Sequence, residues 1–355
     1  MRLPGLDLLR GICALLVAVY HVLYWQDEAK LYAWGTYGVY IFFVLSGASM
    51  VVAYAGRLST NRSLAAFLAL RLTRLLPLYT LTLVAGLLLQ IYREASLNEL
   101  PLGSVFLNIF FLFGVGNPGQ VSRVVGGWSL GIEFAFYLMF PMMLALTLSR
   151  VWWVVLAVAF LTQHTFVHYI FGNGRGLVEN WVTYTQFLSF IFYFFAGCAI
   201  GRLILMGKLR AIRLAPIWLA IALFIILVGS QTDAVQTLTG LVGLGLSLTA
   251  VASVVAATQV DLRGIWKNIA ETLGRSSYGV YILHPPLYLL FDKMARGKWI
   301  DAGLVLSLTL MGSFMLALVL ERWFERPIQN FAKNRLAGQF SKREAFEISS
   351  AITRT

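Results

Sequence analysis

Arg10 and His21 stand eleven positions apart in one apolar run, GLDLLRGICALLVAVYHVLYW, residues 5–25. As a helix this run rises about 1.5 Å per residue, so the two side chains lie roughly 16 Å apart along its axis. Eleven steps of about 100° return to nearly the same azimuth, and both side chains face one way. Ionisable groups in a membrane-length helix cost about 2.5–3.5 kcal/mol each on insertion scales and usually mark function. His21 is the candidate general base, since a neutral imidazole accepts a hydroxyl proton near physiological pH; the alternative is a packing histidine bonded to a neighbouring helix. Arg10 fits a phosphate with its planar fork. Read alone it is equally a snorkelling anchor, neutralised by Asp7 one turn earlier.

Further residues could complete such chemistry. RLTRLLPLY, residues 71–79, puts Arg71 and Arg74 on one helical face, either as a positive-inside anchor or as ligands of a polyphosphorylated donor. GGWSLGIEFAFYLMFP, residues 126–141, holds Glu133 about one and a half turns inside a span. A carboxylate there needs a partner: a cation, sugar hydroxyls, or His21, which it would orient. Trp128 reads alone as part of an aromatic belt; beside Glu133 it is assigned to the acceptor. His284, directly before Pro285 and Pro286, either satisfies carbonyls that a helix broken there would free, or lines the acceptor site. His164 and His168 are spaced i, i+4, but no third ligand of matching pattern accompanies them, and no metal is expected. Cys13 and Cys198 read as buried thiols.

The elements that position these residues are membrane helices. The 355 residues are 59% hydrophobic and 12% charged, and most segments are apolar all round, which excludes a soluble domain and the alternating pattern of a β-barrel. The net charge of +12 sits in short loops and the C-terminal tail, as topology signals do, so nucleic acid is not a partner. Spans are expected at 6–24, 37–54, 74–92, 128–148, 151–168, 183–201, 215–229, 236–257, 277–292 and 302–321. The short apolar stretch 105–115 suits a re-entrant or interfacial piece. With that stretch not crossing, the basic clusters after the second, sixth, eighth and tenth spans all fall on the cytoplasmic side. The expected fold is therefore all-α: a polytopic bundle of about ten transmembrane helices with both termini cytoplasmic. Residues 1–328 form the membrane domain and 329–355 a polar cytoplasmic tail.

The ordered motifs resemble one family. Arg10 and His21 with ten residues between them, GVYIFFVLSG (38–47), RLTRLLPLY, WSLGIEFAFYLMFP, SSYGVYILHPPL and WFERPI (323–328) are together similar to the acyltransferase-3 family of integral membrane acyltransferases. The resemblance spans residues 6–328. It implies transfer of an acyl group, commonly acetyl, from cytoplasmic acyl-coenzyme A to a hydroxyl of an exported or envelope polysaccharide or glycolipid. It matches Arg10 and His21 to the family's essential pair, Arg71 and Arg74 to its donor-binding arginines, and Glu133 to the acidic residue of its WSL-x-x-E motif. Some members carry a hydrolase-like domain after the bundle; with the sequence ending at Thr355, transfer is expected within the bundle itself. The implied setting is the bacterial cytoplasmic membrane, with lipid, acyl-CoA and a carbohydrate acceptor as partners. The competing reading is a transporter or flippase of a glycan or small anionic solute. It would show paired broken helices in inverted halves, and WSLGIE has no counterpart in the second half.

Overall fold

The computed structural model describes residues 3–58, 60–94, 102–211, 218, 221, 222, 224, 225 and 233–340. Among them all regular structure is helical. In hydrocarbon each backbone N–H and C=O must be satisfied within its own segment, which a helix does and an open strand does not. The principal helices are α1 (Pro4–Trp25), α2 (Tyr32–Tyr54), α3 (Asn61–Glu94), α4 (Gly127–Leu148), α5 (Trp152–Phe171), α6 (Ile191–Leu205), α7 (Gly240–Ala257), α8 (Gly264–Arg296), α9 (Val305–Leu320) and α10 (Arg326–Leu336). Seven helical stretches among the described residues are long and apolar enough to cross a membrane. Their outward residues are apolar: Leu81, Val84 and Leu88 on α3, and Met311, Met315 and Val319 on α9, are exposed stripes at helical spacing.

Between α3 and α4 lies a helix of eight residues, Leu102–Ile109, and two residues beyond its end Phe111 is in the left-handed conformation (φ 55°). Eight residues rise about 12 Å and do not cross a bilayer. The span expected at 215–229 lies largely outside the described residues.

Two helix pairs set the frame of the bundle. On α1 and α8, Gly11 lies against Leu273, His21 against His284 and Trp25 against Tyr288, so the two helices run parallel. On α2 and α6, a Cβ at Gly47 would collide with the Phe194 carbonyl, and one at Gly197 with that of Val44. Small residues bring backbones together here, as in membrane bundles generally.

Two expectations are corrected. α8 begins at Gly264 rather than 277, and it continues unbroken through Pro285 and Pro286. Packed neighbours and polar side chains satisfy the backbone groups that proline frees, so the helix need not open. The C-terminal segment expected to be a tail from 329 begins as helix α10, which packs on α3; residues 341–355 lie outside the described residues.

Candidate active site

Three cavities follow one another through the bundle, each sharing wall residues with the next. The first is a basin of about 250 Å³ between the early turns of α1 and α3, the middle of α8 and helix α10. Its cations are Arg10, Arg71, Arg74, Arg275 and Lys333, against the carboxylates of Asp7, Glu321 and Glu325. Glu321 is already engaged by Arg326, at 2.8 and 3.0 Å.

The three predicted arginines converge on this basin. Arg10 is loosely held, 3.5 Å from both Asp7 Oδ1 and Ser49 Oγ, at the outer limit of a hydrogen bond. Arg71 donates to Tyr54 Oη at 2.9 Å, and its guanidinium lies 5.1 and 5.9 Å from the Tyr54 and Tyr137 rings. Its Nε is buried and has no partner among the described residues. Arg74 makes no side-chain hydrogen bond or ion pair among the described residues, although it feels the charge of Arg10 and Glu325. Three guanidiniums meet in one recess, and their chemistry could hold a multiply charged anion.

The second cavity is narrower, about 70 Å³, and shares Arg10, Arg71, Arg74 and Tyr278 with the basin. Glu133 lines it, its Oε1 accepting from Ser46 Oγ at 2.6 Å and Tyr137 Oη at 2.5 Å. Of the three partners left open for Glu133 in the sequence, His21 is not among those it bonds. Glu133 shares a chamber with the arginines, its bonded partners are Ser46 and Tyr137, and its charge acts on Arg10 and Arg71. In the sequence Ser46 reads as a small residue of close helix packing as readily as a site residue, and Tyr137 as part of an aromatic belt, so neither points to Glu133.

Val39 and Tyr281 line both the second and third cavities and form the partition between them. Tyr281 is fixed from α4: its hydroxyl shares a 2.8 Å hydrogen bond with Ser129 Oγ and donates to the Gly126 carbonyl at 3.0 Å. Gly126 adopts φ 78° to start α4, and the Tyr281 ring lies close beside its Cα, so a side chain there would be strained in its backbone and tight against that ring.

The third cavity, about 80 Å³, holds His21 among aromatic walls that include Tyr20, Tyr32, Tyr40, Trp128 and Trp181. Trp128 lines this chamber and meets Trp181 edge to face at 5.2 Å. Among the described residues, no Lys, Arg, Asp or Glu lines this chamber. His284 does not line it: the residue is fully buried, with its Nε2 3.0 Å from His21 Nδ1. Its placement among the acceptor contacts is corrected to a position behind His21. Its Nδ1 faces the carbonyls of Val280 (3.1 Å) and Tyr281, the latter freed by Pro285. Of the two readings of His284 in the sequence, the structure realises the satisfied-carbonyl one.

His164 uses both ring nitrogens elsewhere, near Phe160 O at 2.9 Å and Ser247 Oγ at 3.2 Å.

A family model described as an acyltransferase domain matches residues 3–322. The chain is 26% identical over 308 residues, 83% of its own length and 89% of the relative's, to the exopolysaccharide production protein ExoZ of Rhizobium meliloti (strain 1021). It is 31% identical over 179 residues to the acyltransferase MdmB of Streptomyces mycarofaciens, covering 45% of this chain and 44% of that one. It is 30% identical over 173 residues to the O-acetyltransferase OatA of Staphylococcus aureus (strain NCTC 8325 / PS 47), covering 42% of this chain and 26% of that one. No solved structure matches the chain. With a match over nearly its whole length, and with its arginines and histidine at the two ends of one succession of chambers, the chain belongs to the acyltransferase-3 family.

Proposed function

We propose that the protein is a membrane O-acyltransferase that takes an acetyl group from acetyl-CoA on the arginine side and delivers it to a sugar hydroxyl on the His21 side. The observation that carries this reading is the run of three chambers from Arg10, Arg71 and Arg74 to His21. Coenzyme A phosphates rest on the three guanidiniums, and the unmet Nε of Arg71 favours such an anion. The pantetheine arm enters the narrow second chamber, and the thioester passes the Val39–Tyr281 partition. The acceptor enters the third chamber, where tyrosine and tryptophan rings suit the apolar faces of a pyranose and the absence of charged walls favours a neutral sugar.

His21 takes the proton of the acceptor hydroxyl while that oxygen attacks the thioester carbonyl carbon. The tetrahedral adduct then breaks its C–S bond, and the departing thiolate receives the proton held on His21. An O-acetyl ester and free coenzyme A result. A positioned base of this kind contributes about 10²–10⁴-fold, and holding both substrates together contributes more. In the cell the bundle lies in the bacterial cytoplasmic membrane, arginine end inward. Ten crossings with both termini inside accord with the parallel course of α1 and α8, which calls for an odd number of crossings between them.

The test is thiol release from acetyl-CoA by isolated membranes containing the protein. His21→Ala is expected to lower the release by about 10²-fold or more, with acetyl-CoA affinity kept. Undiminished release in that variant overturns the role of His21. Absence of release in the wild type, together with movement of an intact solute, favours the transporter reading instead.

A further inference from the structure

His284 occupies the place behind the base where catalytic histidines usually have an orienting group, yet it is neither a carboxylate nor a wall of the acceptor chamber. The His21 and His284 rings are 12° from coplanar, with centroids 5.2 Å apart and Nδ1 of one 3.0 Å from Nε2 of the other. That combination describes two imidazoles joined edge to edge through their nitrogens. Trp25 covers one face of the pair, nearly parallel to His21 (8°) and to His284 (19°).

The protonation pattern follows by elimination. Carbonyl oxygens only accept, so the His284 Nδ1 facing Val280 O must carry its proton. A neutral His284 then has its lone pair on Nε2, which can only accept from His21 Nδ1–H. A neutral His21 is thereby left with its lone pair on Nε2, the nitrogen turned away from His284.

We propose that His284 is a positioning residue that holds His21 in the Nδ1–H tautomer, leaving Nε2 as the base. The inference rests on the reading of His21 as the proton acceptor. A carboxylate in this place would bury a charge within the membrane span, whereas a histidine bonded to a main-chain carbonyl fixes the same tautomer without one. It also gives Pro285 a function: removing one backbone N–H frees the Tyr281 carbonyl to join that of Val280 against the His284 ring.

The chain has four histidines, so ¹⁵N-histidine NMR of the purified full-length protein in detergent is tractable, with His21 assigned by its loss in His21→Gln. In the wild type, His21 is expected to show a protonated Nδ1 and an unprotonated Nε2. In His284→Leu the His21 Nε2 signal should move toward the protonated range, and kcat should fall about tenfold or more, a part of what a positioned base contributes, with KM for acetyl-CoA unchanged. His284→Gln is close to leucine in size and offers an amide oxygen to His21 Nδ1–H. It should retain the tautomer and restore most of kcat. A wild-type His21 protonated on Nε2 overturns the proposal even if neither variant folds. Equal behaviour of the Leu and Gln variants also overturns it, since packing alone would treat them alike. The tautomer is read without turnover, so a failure of the reading of His21 as the base, seen as full activity in His21→Ala, remains distinguishable from a failure of this one.

Discussion

Arg71 is fixed before any donor arrives, by Tyr54 and Tyr137, while its Nε stays unmet. A hydrogen bond to a charged group is worth about 1.5–3 kcal/mol, so Arg71→Ala is expected to raise KM for acetyl-CoA about 10- to 100-fold with a smaller effect on kcat. Arg71→Lys should recover only part of this, since an ammonium lacks the fork. Donor titrations with each variant check both statements; an unchanged KM in Arg71→Ala removes the residue from the donor site. The arginines were legible in the sequence because spacing within one helix fixes which side chains share a face. The partner of His21 was not. Glu133, on another helix, looked suitable by depth alone, and its register against α1 places it with the arginines instead.

The expected span 277–292 puts His284 at its middle but does not say which helix it faces. In the structure α8 begins at Gly264, and His284, twenty residues along it, stands beside His21, seventeen along α1. Charged and polar residues in the first turns of α8 hid that start from a reading based on apolarity. What holds such registers is close backbone packing at small residues. Gly47→Leu should therefore cost about 1–3 kcal/mol or more, because the clash at α6 is with backbone. Gly86 on α3 has nothing near its absent Cβ, so Gly86→Ala should be neutral or stabilising by about 0.5–1 kcal/mol. Thermal unfolding of the detergent-solubilised protein should show a drop of several degrees for the first variant only; equal melting would contradict the packing account.

For the whole molecule, the all-α class and the membrane setting were plain from composition, and the succession of chambers was not, because no single segment encodes it. Sidedness can be probed in intact cells with an impermeant thiol reagent, the native Cys13 and Cys198 being buried. Asp27→Cys and Gly174→Cys should label from outside, and Lys208→Cys only after the membrane is opened; the reverse pattern would invert the proposed direction of transfer. The central claim is that the acyl group travels from the arginine basin to His21 past Val39 and Tyr281. Its most direct test is Val39→Trp, which fills the partition and leaves the arginines and the histidine unsubstituted. The account predicts acetyl-CoA binding near the wild-type level and loss of thiol release from acetyl-CoA in isolated membranes. Thiol release at the wild-type rate, with the partition filled and the donor bound, would contradict it.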